Sequence, residues 1–219
     1  MNDIEEESPD LKSRLLGAKK EKQFGVVDVV FIVLIALILC FSIVQRYWLT
    51  PVEISGRSMN RTIDDGDWLL MNKFAEPTYG DVVIIEISGE TNYIKRVIGM
   101  EGDALYMQDG VVYRKKAGET AFTALDEPYA YYSRDKKDIN MPVVIVKEGC
   151  IFFLGDNRCD SRDSRHIGAK SVNDVLGVVP DWVIENRKSI TSYYTAVLKV
   201  DNFILSLFNP GACGGRNTR

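Results

Sequence analysis

The chain has 219 residues, 46% hydrophobic and 26% charged, which is typical of folded domains and excludes collagen-like or wholly disordered chains. Its 27 basic and 31 acidic residues give a net charge of -4, without the positive excess that neutralises nucleic-acid phosphates. We therefore expect no nucleic-acid partner. Four cysteines without a CxxC pair and a single histidine, His166, cannot form the usual zinc sites, so we also expect no metal and no other cofactor.

An apolar segment runs from Val26 to Val44, and its only charge is Asp28 near the start. A helix rises 1.5 Å per residue, so this segment is just long enough to cross a bilayer core of about 30 Å. A buried helix of a soluble core usually keeps a polar stripe, which Val29–Phe41 lacks. A cleaved signal peptide would end in a small-x-small cleavage site, whereas Gln45 and basic and aromatic residues follow here. We therefore predict a retained transmembrane helix over residues 25–45.

The basic residues around this helix are unevenly distributed. The positive-inside rule places the side with more Lys and Arg in the cytoplasm. The side before the helix has Lys12, Arg14, Lys19, Lys20 and Lys22, whereas the roughly 15 residues after it have only Arg46 and Arg57. We therefore predict a cytoplasmic tail at residues 1–24, acidic and disordered at its start, and an extracytoplasmic domain at residues 46–219 of a single-pass cell-membrane protein.

The extracytoplasmic part is long enough for one well-packed domain, and its pattern is that of a mostly antiparallel β-sheet. Short β-branched runs bounded by Gly, Asn or Asp predict its strands. These runs are Asp81–Ile87, Tyr93–Ile98, Leu105–Gln108, Val111–Arg114, Pro142–Val146 and Cys150–Leu154. Between two of them, Asp109 and Gly110 predict a hairpin with a type I′ turn, because both residues accept positive φ. Thr195–Phe208 is too short and too charged for a second span, and is interpreted as a packing or membrane-surface segment.

Lys95 is predicted to be partly desolvated. It lies on the strand that follows Asp81–Ile87 after a Ser88-Gly89-Glu90 turn. The unbroken apolar run in that neighbouring strand indicates burial on both faces. Burial disfavours the charged form of a lysine, and a lysine must be neutral to act as a base.

Two arrangements for nucleophilic catalysis fit the sequence poorly. A Ser-His pair would need His166, but no G-x-S-x-G elbow holds a serine, and the neighbours of His166 indicate an exposed turn. Ser133 and Lys136 form S-x-x-K, yet they lie in a polar stretch without the other β-lactamase elements. Three other stretches fit together better, namely Ile54–Thr62, Tyr93–Gly99 and Gly155–Gly168.

These stretches resemble the type I signal peptidases, membrane-anchored serine proteases that remove signal peptides from exported proteins with a Ser-Lys dyad. The resemblance extends from the apolar helix to about Trp182. Five motifs occur in the family's order: SM at Ser58, GD at Gly66, GDVV from Gly80, KRVIG from Lys95 and GDNRxxSxDSRxxG from Gly155. The arrangement with a single N-terminal span is similar to that of Gram-positive members. The chain has Lys95 where the endoplasmic-reticulum type has histidine, and in this it resembles the bacterial type.

The resemblance implies a role for each matching residue. Ser58 would be the nucleophile, Lys95 the general base, and the backbone N–H of Ser58 a donor to the oxyanion. Ser161 matches a serine whose hydroxyl helps to orient the lysine. Asp163 and Arg165 match a charged pair, for which we expect a salt bridge that supports the site, with both residues on one face if their segment is extended.

The resemblance also implies the substrates, which are the signal peptides of secreted preproteins. They would be extended segments with small side chains one and three residues before the cleaved bond, docked as an added strand. Ser58 follows Val44 by 14 residues, so such an enzyme would meet the end of a signal peptide near the bilayer surface.

Two positions depart from the family pattern. Gly56 stands where some relatives have a serine that supplies a second oxyanion donor, and this leaves the second donor open. Arg61 occupies the proline position of the SMxPT motif, which removes a rigid φ beside Ser58.

Two alternative functions are compatible with parts of the sequence. The first is a non-catalytic membrane-anchored β-domain, an adhesion or scaffold module, in which Ser58 is a turn residue and Lys95 a snorkelling surface lysine. The second is a self-cleaving Ser-Lys repressor. Such a repressor needs a DNA-binding domain, where this chain has an apolar helix instead.

Overall fold

The computed structural model describes residues 25–89, 91–135 and 139–208 and divides the chain into two units after Ile43. Helix α1 (Val26–Tyr47) contains Val26–Ile43, which has a mean hydropathy of 3.1 and no buried residue. Among the described residues it is the one helix whose length and composition suit a membrane span. The predicted N-terminal apolar helix is therefore present, while residues 1–24 lie outside the described part.

The second unit is built on two antiparallel sheets. Within the described residues, the larger sheet has seven strands in the order β1-β2-β11-β3-β4-β9-β10, and the smaller has four in the order β7-β6-β5-β8. The strands are β1 (Leu49–Glu53), β2 (Trp68–Asn72), β3 (Val82–Ser88), β4 (Thr91–Gly99), β5 (Ala104–Gln108), β6 (Val111–Lys115), β7 (Thr123–Ala124), β8 (Met141–Ile145), β9 (Cys150–Leu154), β10 (Lys170–Ser171) and β11 (Val175–Val179). The predicted mostly antiparallel β fold with one apolar N-terminal helix is confirmed.

Strand β3 lies inside the larger sheet and is buried on both faces, as its apolar run predicts. Val82–Ile85 are all at most 3% exposed. Val82 and Ile84 pack into one apolar cluster, which also contains Met59, while Val83 and Ile85 pack into another. The loop before β2 is therefore fastened to one face of the sheet through Met59.

The hairpin between β5 and β6 has the predicted turn. Gln108 pairs with Val111, and the two residues between them, Asp109 and Gly110, have φ of 49° and 76°. Positive φ at both positions is the signature of a type I′ turn, whose twist matches that of the flanking strands.

Several elements were not predicted from the sequence. They are β1, β2, β7, β10, β11, a 3₁₀ turn (Val172–Asp174) and the helices α2 (Ser164–Ile167), α3 (Asp181–Glu185) and α4 (Arg187–Phe208). Thr195–Phe208 is the later part of α4, whose first turns pack against β2. There the Tyr194 ring stacks on Trp68 at 5.2 Å, and Thr191 Oγ1 accepts a hydrogen bond from Trp68 N–H.

Candidate active site

Ser58 lies in a loop, residues 54–67, that closes on itself between β1 and β2. Ile54 N donates to Asp67 O at 2.9 Å, and Gly66 N donates to Ile54 O at 2.8 Å. Gly66 has a φ of 81°, which favours glycine, and the buried Asp67 carboxylate accepts the N–H of Asp64. The GD motif therefore closes the Ser58 loop.

The turn after β9 holds this loop from the other side. Asn157 N donates to the Ser58 carbonyl at 3.0 Å, and Asn157 Nδ2 donates to the Arg57 carbonyl at 3.1 Å. A Cβ at Gly155 would lie 2.6 Å from the Ser58 carbonyl oxygen, closer than real Cβ contacts allow. The close approach that positions Ser58 thus requires glycine at the first position of the GDNR motif.

Lys95 extends from β4 to the Ser58 side chain. Its Nζ lies 2.6 Å from Ser58 Oγ and donates to the Ile94 carbonyl at 2.8 Å. The lysine is 3% exposed and its Cα partner on β3 is the fully buried Val83. The structure therefore brings together the two residues that the resemblance assigns to the dyad.

Burial lowers the pKa of Lys95 from 10.5 to about 8, although the carboxylates of Asp163 and Asp156 act to raise it. Each carboxylate has its own guanidinium, since Arg165 Nη2 lies 2.8 Å from Asp163 Oδ2 and Arg96 Nη2 lies 2.6 Å from Asp156 Oδ2. These arginines offset the negative charge that would otherwise stabilise a protonated lysine. A pKa of about 8 leaves about 9% of the lysine neutral at pH 7, against about 0.03% at 10.5.

Asp163 and Arg165 form the expected salt bridge, but in a helix cap rather than in an extended segment. Asp163 is the N-cap of α2, and its carboxylate accepts Arg165 Nε and Nη2, both at 2.8 Å. Burial acts to raise the pKa of Asp163, but Arg165 and the Gly155 N–H outweigh it and lower that pKa. His166 belongs to this short helix rather than to the predicted turn, and it is exposed as expected.

Ser161 packs beneath Gly155 and does not make the contact that the resemblance implies. The hydroxyl is close enough to the Asp163 carboxylate to help lower its pKa, but the geometry falls short of a hydrogen bond. Within the described residues its oxygen has no hydrogen-bond partner, and the partners of Lys95 Nζ are Ser58 and Ile94.

The backbone N–H groups of Gly56 and Ser58 differ in their hydrogen bonding. Among the described residues, the N–H of Ser58 has no acceptor, as an oxyanion donor requires. Gly56, at the position of the second donor in some relatives, has a φ of 107°, and its N–H is bound to Asp65 Oδ1 at 2.8 Å. The Gly56 N–H is therefore occupied.

A cleft of about 550 Å³ opens beside the dyad, and the sequence did not reveal its walls. Its lining consists of Val52–Ser58, Ile84, Asn92–Lys95, Asp160 and Arg162. Strand β9 pairs with β4 only from Gly99 to Arg96. Among the described residues, the edge of β4 at Asn92–Lys95 therefore has no partner strand on the side that faces away from β3. A cleft beside a free strand edge suits an extended peptide.

The remaining predicted residues lie apart from this cleft or outside the described residues. Ser133 is exposed, and Lys136, its partner in the S-x-x-K pattern, lies outside the described residues. Cys150 and Cys159 are free thiols, so the described chain has no disulfide between them.

Comparison with known proteins places the chain in a family. The family model described as "Signal peptidase, peptidase S26" matches residues 26–183. The chain is 32% identical to Signal peptidase I P of Bacillus subtilis subsp. natto over 178 residues, 75% of this chain and 92% of the relative. It is also 29% identical to Signal peptidase IB of Staphylococcus aureus over 164 residues, 66% of this chain and 82% of that protein.

A solved signal peptidase I from Enterococcus faecalis V583 aligns with a TM-score of 0.41 and 24% identity, covering 48% of this chain and 98% of the other. The family match, by contrast, spans α1 and every strand of both sheets. The chain therefore belongs to the type I signal peptidases of peptidase family S26, the serine endopeptidases that cleave signal peptides from exported proteins.

Proposed function

We propose that Ser58 is the nucleophile and Lys95 the general base of this signal peptidase. The observation that carries the proposal is the distance of 2.6 Å between Lys95 Nζ and Ser58 Oγ. At this separation a neutral amine takes the hydroxyl proton as the oxygen attacks a carbonyl carbon. The burial that lowers the lysine pKa to about 8 provides the neutral amine at physiological pH.

The reaction then proceeds through an acyl-enzyme. Attack of Ser58 Oγ on the scissile carbonyl gives a tetrahedral oxyanion, which accepts a hydrogen bond from the Ser58 N–H. The Lys95 ammonium returns its proton to the leaving amine as the C–N bond breaks. Lys95 next takes a proton from water, whose oxygen attacks the ester, and returns it to Ser58 Oγ as the acid product leaves.

The supporting residues act on the dyad through charge and packing. The bidentate Arg165–Asp163 pair offsets the buried carboxylate charge near Lys95 and, through the Gly155 N–H, fixes the turn that contacts Ser58. Ser161 fills the space beneath Gly155. Both are positioning roles, because neither group bonds to the dyad in the described structure.

Substrates bind in the cleft as an added strand along the free edge at Asn92–Lys95. Ile54, Ile84 and Ile94 contribute an apolar part of the cleft lining, and each is at most 8% exposed. Small apolar side chains before the cleaved bond fit this lining, while large ones collide with packed strands.

A preprotein with Ala immediately before the cleaved bond tests this binding mode. Replacing that Ala by Phe is expected to slow cleavage by the purified enzyme at least about 10-fold, because the isoleucines of the lining are already packed. The matched control places the same Phe several residues after the cleaved bond, where cleavage should continue, as mass spectrometry of the products will show. Equal cleavage of the Ala and Phe preproteins would contradict the proposed cleft.

The proposal also includes the membrane arrangement. Residues 1–24 form a cytoplasmic tail, residues 25–45 span the bilayer, and residues 46–219 form the extracytoplasmic peptidase domain. The five basic residues before the span, against two in the roughly 15 residues after it, support this orientation. Trp48, which is 57% exposed just after α1, suits the lipid headgroup level.

Protease added outside spheroplasts is expected to digest the domain after Gln45 and spare an epitope in residues 1–22. Permeabilised spheroplasts are the control, in which the epitope should also disappear. Digestion of the epitope in intact spheroplasts would reverse the orientation and separate Ser58 from translocated signal peptides.

A further inference from the structure

Alternate residues of the segment 127–131 each contact a different arginine. The carboxylate of Glu127 forms an ion pair, and the rings of two tyrosines lie beneath guanidinium groups. The pairs are Glu127 with Arg158 at 2.7 Å, Tyr129 with Arg96 at 4.0 Å and Tyr131 with Arg61 at 3.9 Å. Each arginine belongs to a motif that flanks the dyad, so this segment connects three parts of the active site that are distant in sequence.

The contact with Arg61 differs from the other two because Arg61 has a left-handed backbone. Its φ is 78°, which is uncommon for a residue with a Cβ and inaccessible to proline. Arg61 therefore does not reproduce the backbone of the family proline that it replaces. Its guanidinium lies over the Tyr131 ring, and such a stack favours the side-chain position that this backbone allows.

Tyr131 is in turn fastened to the turn that holds Ser58. Tyr131 N donates to Asp156 O at 2.6 Å, and Arg158 N donates to Tyr131 O at 2.9 Å. Asn157, between those two residues, donates its N–H to the Ser58 carbonyl. A closed ring of contacts thus runs from Ser58 through Asn157 and Tyr131 to Arg61, which is three residues from Ser58 in the chain.

We propose that Arg61 and Tyr131 form a positioning pair that fixes the orientation of Ser58 toward Lys95, in place of the rigidity that the family proline supplies. The inference rests on the proposed role of Ser58 as nucleophile. The pair does not line the cleft in the described structure, so it acts on the rate of attack rather than on substrate binding.

The test uses the full-length enzyme in detergent with a preprotein substrate. Arg61→Gly keeps access to positive φ but removes the guanidinium, and Tyr131→Leu removes the ring. Each is expected to lower kcat about 10- to 100-fold with KM within about 2-fold, since a small misplacement of a reacting group has effects of this size. Tyr131→Phe, which keeps the ring, should retain kcat. Arg61→Pro should be no faster than Arg61→Gly, although proline is the family residue, because proline cannot adopt the observed φ.

Three controls separate positioning from general destabilisation. Arg114→Met removes a similar stack, 4.1 Å over Tyr79, and should leave kcat unchanged. The pH midpoint of kcat should stay at about 8 in Arg61→Gly and Tyr131→Leu, whereas loosening of the core would hydrate Lys95 and move it toward 10.5. The double variant should be no slower than the slower single variant, because both changes break one contact.

The outcomes distinguish this inference from the dyad. An unchanged kcat in Arg61→Gly and Tyr131→Leu, a change confined to KM, or multiplying effects in the double variant would overturn the positioning pair. The dyad would still stand if Ser58→Ala were inactive in the same assay. An active Ser58→Ala enzyme would remove the dyad and the positioning pair together.

Discussion

Ser58→Ala is expected to abolish signal-peptide cleavage while leaving the β-domain folded. The hydroxyl is the group that attacks the scissile carbonyl, and removing a serine nucleophile lowers kcat by about four orders of magnitude or more. The loop keeps its closure, because the bonds that fix it involve the backbone of Ile54, Gly66 and Asp67. Cleavage of a purified preprotein and the circular dichroism spectrum measure the two outcomes.

Ser133→Ala is the matched control for that experiment. Ser133 is an exposed serine in the polar S-x-x-K stretch, so its replacement should leave cleavage and folding unchanged. If Ser58→Ala were as active as the wild type, the dyad assignment would fail. Loss of activity in Ser133→Ala would instead revive the S-x-x-K alternative.

Lys95→Arg is expected to be as inactive as Lys95→Met, although arginine preserves the positive charge. A guanidinium keeps its proton throughout the pH range in which proteins are stable, so it cannot become a base. Both variants remove the neutral amine that lies 2.6 Å from Ser58 Oγ. Cleavage measured from pH 6 to pH 10 should stay near background in both, and substantial cleavage by Lys95→Arg would show that Lys95 is not the base.

Lys95→Met should also be at least as stable as the wild type at pH 7. Folding lowers the lysine pKa from 10.5 to about 8, so the unfolded chain binds the proton more tightly and folding is opposed at pH 7. The opposition amounts to about 3 kcal/mol below the folded pKa, fades as the pH rises from 8 to 10.5, and is absent above it. Denaturant titrations at pH 7 and pH 10 should show the advantage of Lys95→Met shrinking at the higher pH.

Family membership argues against the two alternative functions that the sequence left open. In a non-catalytic module Lys95 would lie at the surface, but this lysine is 3% exposed and its side chain is hydrogen-bonded to Ser58. A self-cleaving repressor needs a DNA-binding domain, whereas the family match begins at residue 26 in the apolar helix itself.

The local parts of the fold could be predicted from the sequence. The apolar run of β3, the Asp109-Gly110 turn and the burial of Lys95 each follow from residues close together in the chain. The pairing of β11 with β2 and β3 could not be predicted, because Val178 meets Val83 and Asn72, about a hundred residues earlier. Periodicity describes the faces of a strand but does not identify a distant partner.

The site shows the same division between local and distant contacts. Motif resemblance identified Ser58 and Lys95, but nothing in the sequence predicted the approach of Gly155 to the Ser58 carbonyl. The stack of Arg61 on Tyr131 joins residues that are 70 positions apart. The left-handed backbone of Arg61 could not be predicted from the sequence either, since arginine rarely adopts positive φ.

The pH dependence of single-turnover cleavage by the wild-type enzyme, with chemistry limiting, tests the Ser58–Lys95 mechanism most directly. The rate should rise with pH through a midpoint of about 8, because only the neutral form of Lys95 accepts the Ser58 proton. Between pH 6 and pH 7 the rate should increase nearly 10-fold, and it should level off above pH 9. A rate that is constant from pH 6 to pH 10 would contradict Lys95 as the base.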